Sequence, residues 1–164
     1  MQFNSLGLDD RLMKGIRSVG YETLTPIQDK TIPISIEGRD VLGLAQTGTG
    51  KTAAFAIPML EKLSVGYNGK IRALVVAPTR ELADQIHQNI SQLSSSMKTK
   101  SITLYGGVSK NPQDDRLAKG VDIAVACPGR LLDHIRESTI DSVSYTHLRA
   151  HETDSYLVCR LLLE

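Results

Sequence analysis

Eight consecutive residues, Ala45-Gln46-Thr47-Gly48-Thr49-Gly50-Lys51-Thr52, have the types and order that bind a phosphate. Gly48 and Gly50 supply a tight turn whose backbone N–H groups can converge on an anion. Lys51 supplies a cation at a helix start, where the backbone dipole adds roughly +0.5 of a charge. Thr52 puts a hydroxyl in the first helical turn, where it can ligate the Mg²⁺ that accompanies a nucleoside triphosphate. The apolar run Val41-Leu42-Gly43-Leu44 before the loop and the helix-favouring Ala53-Ala54-Phe55-Ala56 after it give the strand, turn and helix that the motif needs. Ala45 stands where the pattern G-x-x-x-x-G-K-[ST] begins with glycine, a change that costs little at negative φ. The plain alternative is a glycine turn ahead of a lysine-headed helix. The loop alone also does not separate kinases, GTPases and translocating ATPases.

The rest of the chain must hold that loop. Its 164 residues suffice for one domain with a real core, 41% of them are hydrophobic, and no apolar run of transmembrane length occurs. A net charge of +1 excludes a globally basic nucleic-acid binder, so any such site has to be local and built from backbone and helix ends. The N-terminus has neither the basic nor the apolar region of a secretory signal. Cys127 and Cys159 are too few for a disulfide framework and lack metal-type spacing, which fits a reducing, cytoplasmic setting.

Leu8, Leu12, Ile16 and Val19 recur at helical spacing behind Asp9-Asp10, and Gly20 ends that helix. Thr25-Pro26-Ile27-Gln28 reads as a capping box with proline at the first helical position, so Gln28 can either reach back to the Thr25 backbone or meet a ligand. Arg72-Ala73-Leu74-Val75-Val76-Ala77 reads as a parallel strand covered on both faces. A helix with Leu82, Ile86, Ile90 and Leu93 on one face follows. Further strands are expected at 101–105 and 121–126, with helices beginning at Asn111-Pro112 and after Cys127-Pro128. Such repeats make a mostly parallel, doubly wound α/β sheet whose ligands gather at the carboxyl ends of the strands. The rule points to the phosphate loop, Pro78-Thr79-Arg80, Gly106-Gly107 and Pro128-Gly129-Arg130 together. Singly, these are ordinary strand ends, turns and solvated arginines. Together they form a surface able to grip consecutive phosphates with little net charge.

These residues resemble the first RecA-like domain of a bacterial-type DEAD-box RNA helicase, over residues 3 to 141. Phe3 and Gly20-Tyr21-Glu22-Thr23-Leu24-Thr25-Pro26-Ile27-Gln28 resemble the Q motif with its upstream aromatic, and Ala45 through Thr52 resemble motif I, alanine included. Pro78-Thr79-Arg80-Glu81-Leu82-Ala83 resembles motif Ia, Gly106-Gly107 the GG motif, and Cys127-Pro128-Gly129-Arg130 motif Ib. The resemblance implies ATP and Mg²⁺ as cofactors, with Phe3, Tyr21, Thr25 and Gln28 lining the nucleotide beside residues 45–52. Gln28 would read the adenine edge and Phe3 would stack on the ring. It implies single-stranded or structured RNA held by Pro78, Thr79, Arg80, Gly106, Gly107, Pro128, Gly129 and Arg130, and no membrane. Leu24 replaces the usual proline before Thr25-Pro26, and Cys127 replaces the usual threonine of motif Ib, removing one hydroxyl.

No Asp-Glu-Ala-Asp or Ser-Ala-Thr occurs, nor a second RecA-like domain with its arginine fingers. Of the catalytic apparatus only Lys51 and Thr52 remain, so the chain by itself is expected to bind without hydrolysing, with a P-loop RecA-like sheet incomplete at its C-terminal side, unpaired edges and marginal stability. A generic P-loop nucleotide-binding domain and a truncated, non-catalytic binding module are the alternatives. Residues 1–141 are expected to run from the Q motif to motif Ib. Residues 142–164 are expected to be a non-native tail, because Val143-Ser144-Tyr145-Thr146-His147-Leu148-Arg149-Ala150-His151-Glu152-Thr153 resembles the conceptual translation of a transposase-type sequencing adapter. His147, His151 and Cys159 are then not a metal site, despite their types. Reading the underlying nucleotides checks this: an adapter string is expected across 143–153, and ordinary codons would contradict it.

Overall fold

The computed structural model describes residues 1–66 and 69–140, and the backbone alone of residues 146–149 and 156–159. Helices α1 (Asp10–Ser18) and α2 (Pro26–Ile36) lead into strand β1 (Val41–Leu44) and helix α3 (Lys51–Leu63). Then strands β2 (Ala73–Val76), β3 (Ser101–Leu104) and β4 (Ile123–Ala126) alternate with helices α4 (Arg80–Leu93), α5 (Asn111–Ala118) and α6 (Pro128–Arg136). Strands β5 (Thr146–Arg149) and β6 (Tyr156–Cys159) complete the order.

The helix starts are the ones the sequence dictates. Asp9 caps α1 by accepting from the Arg11 N–H, and the Arg11 guanidinium bonded to it holds its carboxyl down at about 2. Pro26 sits in the first turn of α2, and Gln28 Oε1 accepts from the Thr25 N–H at 2.9 Å. Thr79 caps α4 by accepting from the Leu82 N–H at 3.3 Å. α3 is buried almost all round, as suits a helix held between α1, α2 and α4.

The sheet runs β3-β4-β2-β5, all parallel. Side chains that alternate along β2 and β4 enter two separate cores. Ala73, Val75, Ile123 and Val125 pack with α1, α3 and α4, whereas Leu74, Ala124 and Ala126 pack with Ile102, Leu104 and Leu131. The doubly wound reading therefore stands. Two details differ from expectation. β1 pairs antiparallel with β6 rather than within the parallel sheet, leaving Leu42 66% and Leu44 58% exposed. The edge of β2 is not bare, because β5 lies parallel beside it. The expected boundary at residues 141 and 142, and the side chains of His147, His151 and Cys159, lie outside the described residues.

Two contacts fix the frame. Gly15 brings α1 against the end of α4 so closely that a Cβ there would run into the Leu93 carbonyl oxygen. At the pole of the sheet opposite the loops, the Arg72 guanidinium donates to Asp122 Oδ1 at 2.7 and 3.0 Å and to the Val65 and Leu63 carbonyls at 2.8 and 3.1 Å. Asp122, 1% exposed, also accepts from the Lys100 N–H, so one carboxylate joins the starts of three strands. Removing one partner of such a pair leaves the other charged and buried, which costs about 3–5 kcal/mol.

Between α5 and α6, His134 is fully buried. The Thr139 hydroxyl donates to the His134 carbonyl, so it can only accept from Nδ1 at 3.1 Å, which sets the Nδ1–H tautomer. Burial pushes the imidazole below its ordinary 6.5, with Lys110 and Arg130 adding to the effect and Asp114 and Glu137 opposing it. A folded-state pKa below the unfolded one stabilises the fold above 6.5, and that contribution is lost as pH falls through the folded value. Chemical denaturation across mildly acid pH should therefore show stability falling below 6.5, and falling less steeply in His134→Gln. Parallel profiles for the two proteins would contradict this account.

Candidate functional site

The phosphate loop folds as a turn between β1 and α3, with Gly48 and Gly50 at φ +79° and +85°, in the left-handed region that only glycine enters without strain. The Thr49 hydroxyl donates to the Gln46 carbonyl at 2.7 Å, tightening the turn. Gly50 is the residue before the first turn of α3, whose first residue is Lys51. Lys51 is 4% exposed, and its Nζ has no hydrogen-bond partner among the described residues. A buried ammonium without a partner is costly, and the natural compensation at a helix N-terminus is an anion. Thr52 is half-buried beside it.

Gln28 comes to this loop from α2. Its Nε2 donates to the Gly50 carbonyl at 3.2 Å while its Oε1 holds the Thr25 N–H, so the amide latches the glycine turn to the start of α2. A Cβ at Gly50 would run into that amide and would lie 3.4 Å from Thr25 Oγ1. Both readings of Gln28 thus meet at one place. The capping role is realised, and the side chain is also at the loop. It is only 3% exposed, which leaves an adenine edge one Nε2–H and one Oε1 lone pair to meet.

Phe3 is placed differently from the expectation that its ring is open to a base. The N-terminal segment pairs with 22–24, Gln2 bridging Thr23 and the Leu24 N–H donating to the Met1 carbonyl at 3.0 Å. That puts Phe3 in the core at 2% exposure, stacked on Tyr21 with centroids 6.1 Å apart. Tyr21 is the half-exposed member of the pair. A pocket of about 320 Å³ beside them is lined by Asn4, Met13, Arg17 and Glu22 among others.

The three remaining loops converge. Pro78, Thr79 and Arg80 are exposed at the end of β2, as are Gly106 and Gly107 after β3 and Pro128 and Gly129 after β4. The Arg80 guanidinium lies 4.8 Å above the Tyr105 ring, and a Cβ on Gly107 would come within 2.8 Å of the same guanidinium. From the other side, Arg130 donates to the Val108 carbonyl at 3.2 Å and pairs with Asp133 at 3.9 Å. The glycine loop therefore sits between two arginines from neighbouring helix starts. Cys127, next to them, has its thiol pushed up by burial, which keeps it uncharged. The residues that the sequence reading missed are Tyr105 and Gln113. Gln113 is buried in the first turn of α5 and reaches back to the Tyr105 and Ser109 carbonyls. The sequence signal for Tyr105 was its position beside the glycine pair, and Gln113 reads only as a polar residue in a helix first turn.

Chemically, the glycine turn after β1 leads to a buried lysine ammonium at the start of α3, and exposed glycine and arginine loops stand at the carboxyl ends of β2, β3 and β4. Among the described residues no helix is long and apolar enough to cross a membrane, and no cluster of three metal-binding side chains occurs. The family model for the DEAD/DEAH box helicase matches residues 25–150. ATP-dependent RNA helicase CshA of Listeria monocytogenes is 42% identical over 156 residues, covering 95% of this chain and 30% of the relative. DEAD-box ATP-dependent RNA helicase RhpA of Helicobacter pylori is 46% identical over 138 residues, covering 84% and 28%. A crystal structure of a DEAD box protein from Methanococcus jannaschii superposes with a TM-score of 0.81 at 38% identity, covering 91% of this chain and 41% of that one. The chain thus spans about 30% of the length of the curated relatives it matches. With a family match across most of its length and a RecA-like fold shared with that structure, the chain belongs to the DEAD/DEAH box helicase family.

Proposed function

We propose that this chain is the part of an ATP-dependent RNA helicase that binds ATP and RNA, and that the longer protein couples ATP hydrolysis to local RNA unwinding in the cytoplasm. The observation that carries the nucleotide reading is Lys51: a buried ammonium with no partner among the described residues, at the head of α3 behind two left-handed glycines. Residues Ala45, Gln46, Thr47, Gly48, Thr49 and Gly50 would wrap the phosphates. Thr52 would hold the Mg²⁺ that arrives with them, and the ion would neutralise charge on the β- and γ-phosphates. Gln28 with Thr25 would bias the base towards adenine. Tyr21, backed by Phe3, is the aromatic with an accessible face. Arg80, Arg130 and the amides of the 78–80, 106–107 and 128–130 loops would hold the sugar-phosphate backbone of single-stranded RNA without reading its sequence.

Hydrolysis rests on positioning and charge stabilisation, and here only Lys51 and Thr52 of that apparatus are present. The 164-residue chain would therefore bind without turnover. Titration calorimetry should show ATP binding more tightly than GTP. Lys51→Ala should weaken both about 10- to 100-fold, the loss of a charge-assisted phosphate contact of ~1.5–3 kcal/mol. Gln28→Ala should weaken ATP more than GTP, since it removes the adenine contact as well as the latch on the glycine turn that both nucleotides share. Equal affinity for ATP and GTP, or RNA-stimulated phosphate release that Lys51→Ala abolishes, would contradict this reading in its adenine and its inactivity halves respectively.

A further inference from the structure

We infer that Gln113 is the positioning residue that turns the Gly106-Gly107 loop into a cradle of outward-facing amides for the phosphodiester backbone of single-stranded RNA. The inference rests on the RNA reading above and names how the loop would grip.

Three carbonyls of the loop from Tyr105 to Ser109 are held by side chains of the protein. Gln113 Nε2 donates to the Tyr105 carbonyl at 3.2 Å and to the Ser109 carbonyl at 3.4 Å, spanning the glycine pair from one side chain. Arg130 takes the Val108 carbonyl at 3.2 Å. In a trans peptide the C=O and the following N–H point in opposite directions, and no cis bond occurs among the described residues. Holding the carbonyls of Tyr105, Val108 and Ser109 therefore turns the N–H groups of Gly106, Ser109 and Lys110 away from the groups that hold them. Among the described residues none of those three donates to a backbone carbonyl, and residues 106–109 are exposed. Such a row of outward amides is an anion-binding concavity. Arg80, laid over Tyr105 with Tyr105 Oη bonded to Asp84 at 3.2 Å, brackets the row from the β2 side.

Gln113 is suited to this by burial and by chemistry. At 7% exposure it cannot itself reach a strand lying over the loop, and its Oε1 has no hydrogen-bond partner among the described residues, so its engagement is through the two N–H bonds to the loop. If the amide were lost, the loop's peptide planes would be free to rotate and present carbonyl oxygens to a phosphate, which repels them.

The test uses the whole 164-residue chain and a fluorescein-labelled oligouridylate. Anisotropy should show Gln113→Met weakening RNA binding about tenfold, the loss of roughly two amide contacts. Its slope of log affinity against log salt should stay that of the parent, since no cation is removed. Arg80→Ala should instead reduce that slope by about 0.7, the value for one phosphate on a single strand. ATP affinity should be unchanged in Gln113→Met, which a general loss of structure would not allow. In the unaltered chain, amide NMR should show RNA-induced downfield shifts at Gly106, Ser109 and Lys110. Absence of RNA binding by the unaltered chain would overturn the RNA reading together with this role. Parent-like affinity in Gln113→Met, or RNA binding without shifts at those three amides, would overturn the role of Gln113 alone, and the NMR arm holds even if the variant does not fold.

Discussion

The structure depends on a charge buried without a hydrogen-bond partner among the described residues. Lys51 opens the most deeply buried helix of the domain, and its ammonium is enclosed without a hydrogen-bond acceptor among the described residues. Every neighbouring choice follows from making that position tolerable and useful. Glycines at positive φ let the backbone turn its amides to the same point, and the Gln28 amide fixes the turn from α2. The Gly50 carbonyl is held by Gln28 and by the Ala54 N–H at 3.1 Å, which fixes the orientation of that peptide plane. The site is thereby held positive by geometry as well as by the lysine.

The two poles of the sheet divide the work. At the pole where the strands begin, polar groups are fully matched: Arg72 and Asp122 satisfy one another and tie loop 63–65 to β2, β3 and β4. At the pole where the strands end, groups are held but left with capacity. Arg80 is stacked rather than ion-paired in its contact with Tyr105, and Arg130 holds a carbonyl with one nitrogen while Nη1 is buried with no hydrogen-bond partner among the described residues. Under the proposed function, stability and binding are assigned to opposite ends of the same strands. A domain with net charge +1 can on this plan grip a polyanion locally.

Much of this was legible in the sequence, and what was not has physical causes. The phosphate loop, the Thr25-Gln28 capping box and the strand ends are encoded by residues within a turn of each other, so spacing reveals them. The Arg72–Asp122 pair joins positions 50 apart and looks like two ordinary surface charges until the strands align. Gln113 reads as a polar residue in a helix first turn, and only the return of α5 across the glycine loop gives it a role. The resemblance implies that Phe3 stacks on a base, but pairing of residues 1–3 with 22–24 carries it into the core and leaves Tyr21 as the half-exposed ring of the pair. The pairing of β1 was also not legible, since a short apolar strand states its length and not its neighbour.

The central claim is that Lys51 is an uncompensated buried charge awaiting a nucleotide's phosphates. It is tested most directly by unfolding the unaltered chain and Lys51→Met with and without Mg-ATP. Without nucleotide, Lys51→Met should be at least as stable as the parent, because an apolar side chain of similar length replaces a buried ammonium that has no partner among the described residues. With nucleotide, the parent should gain about 2.7 kcal/mol at a hundredfold excess over its Kd, and Lys51→Met should gain almost nothing. A Lys51→Met chain that is less stable alone yet stabilised by Mg-ATP as strongly as the parent would show that the ammonium is a structural group and that the phosphates are held elsewhere.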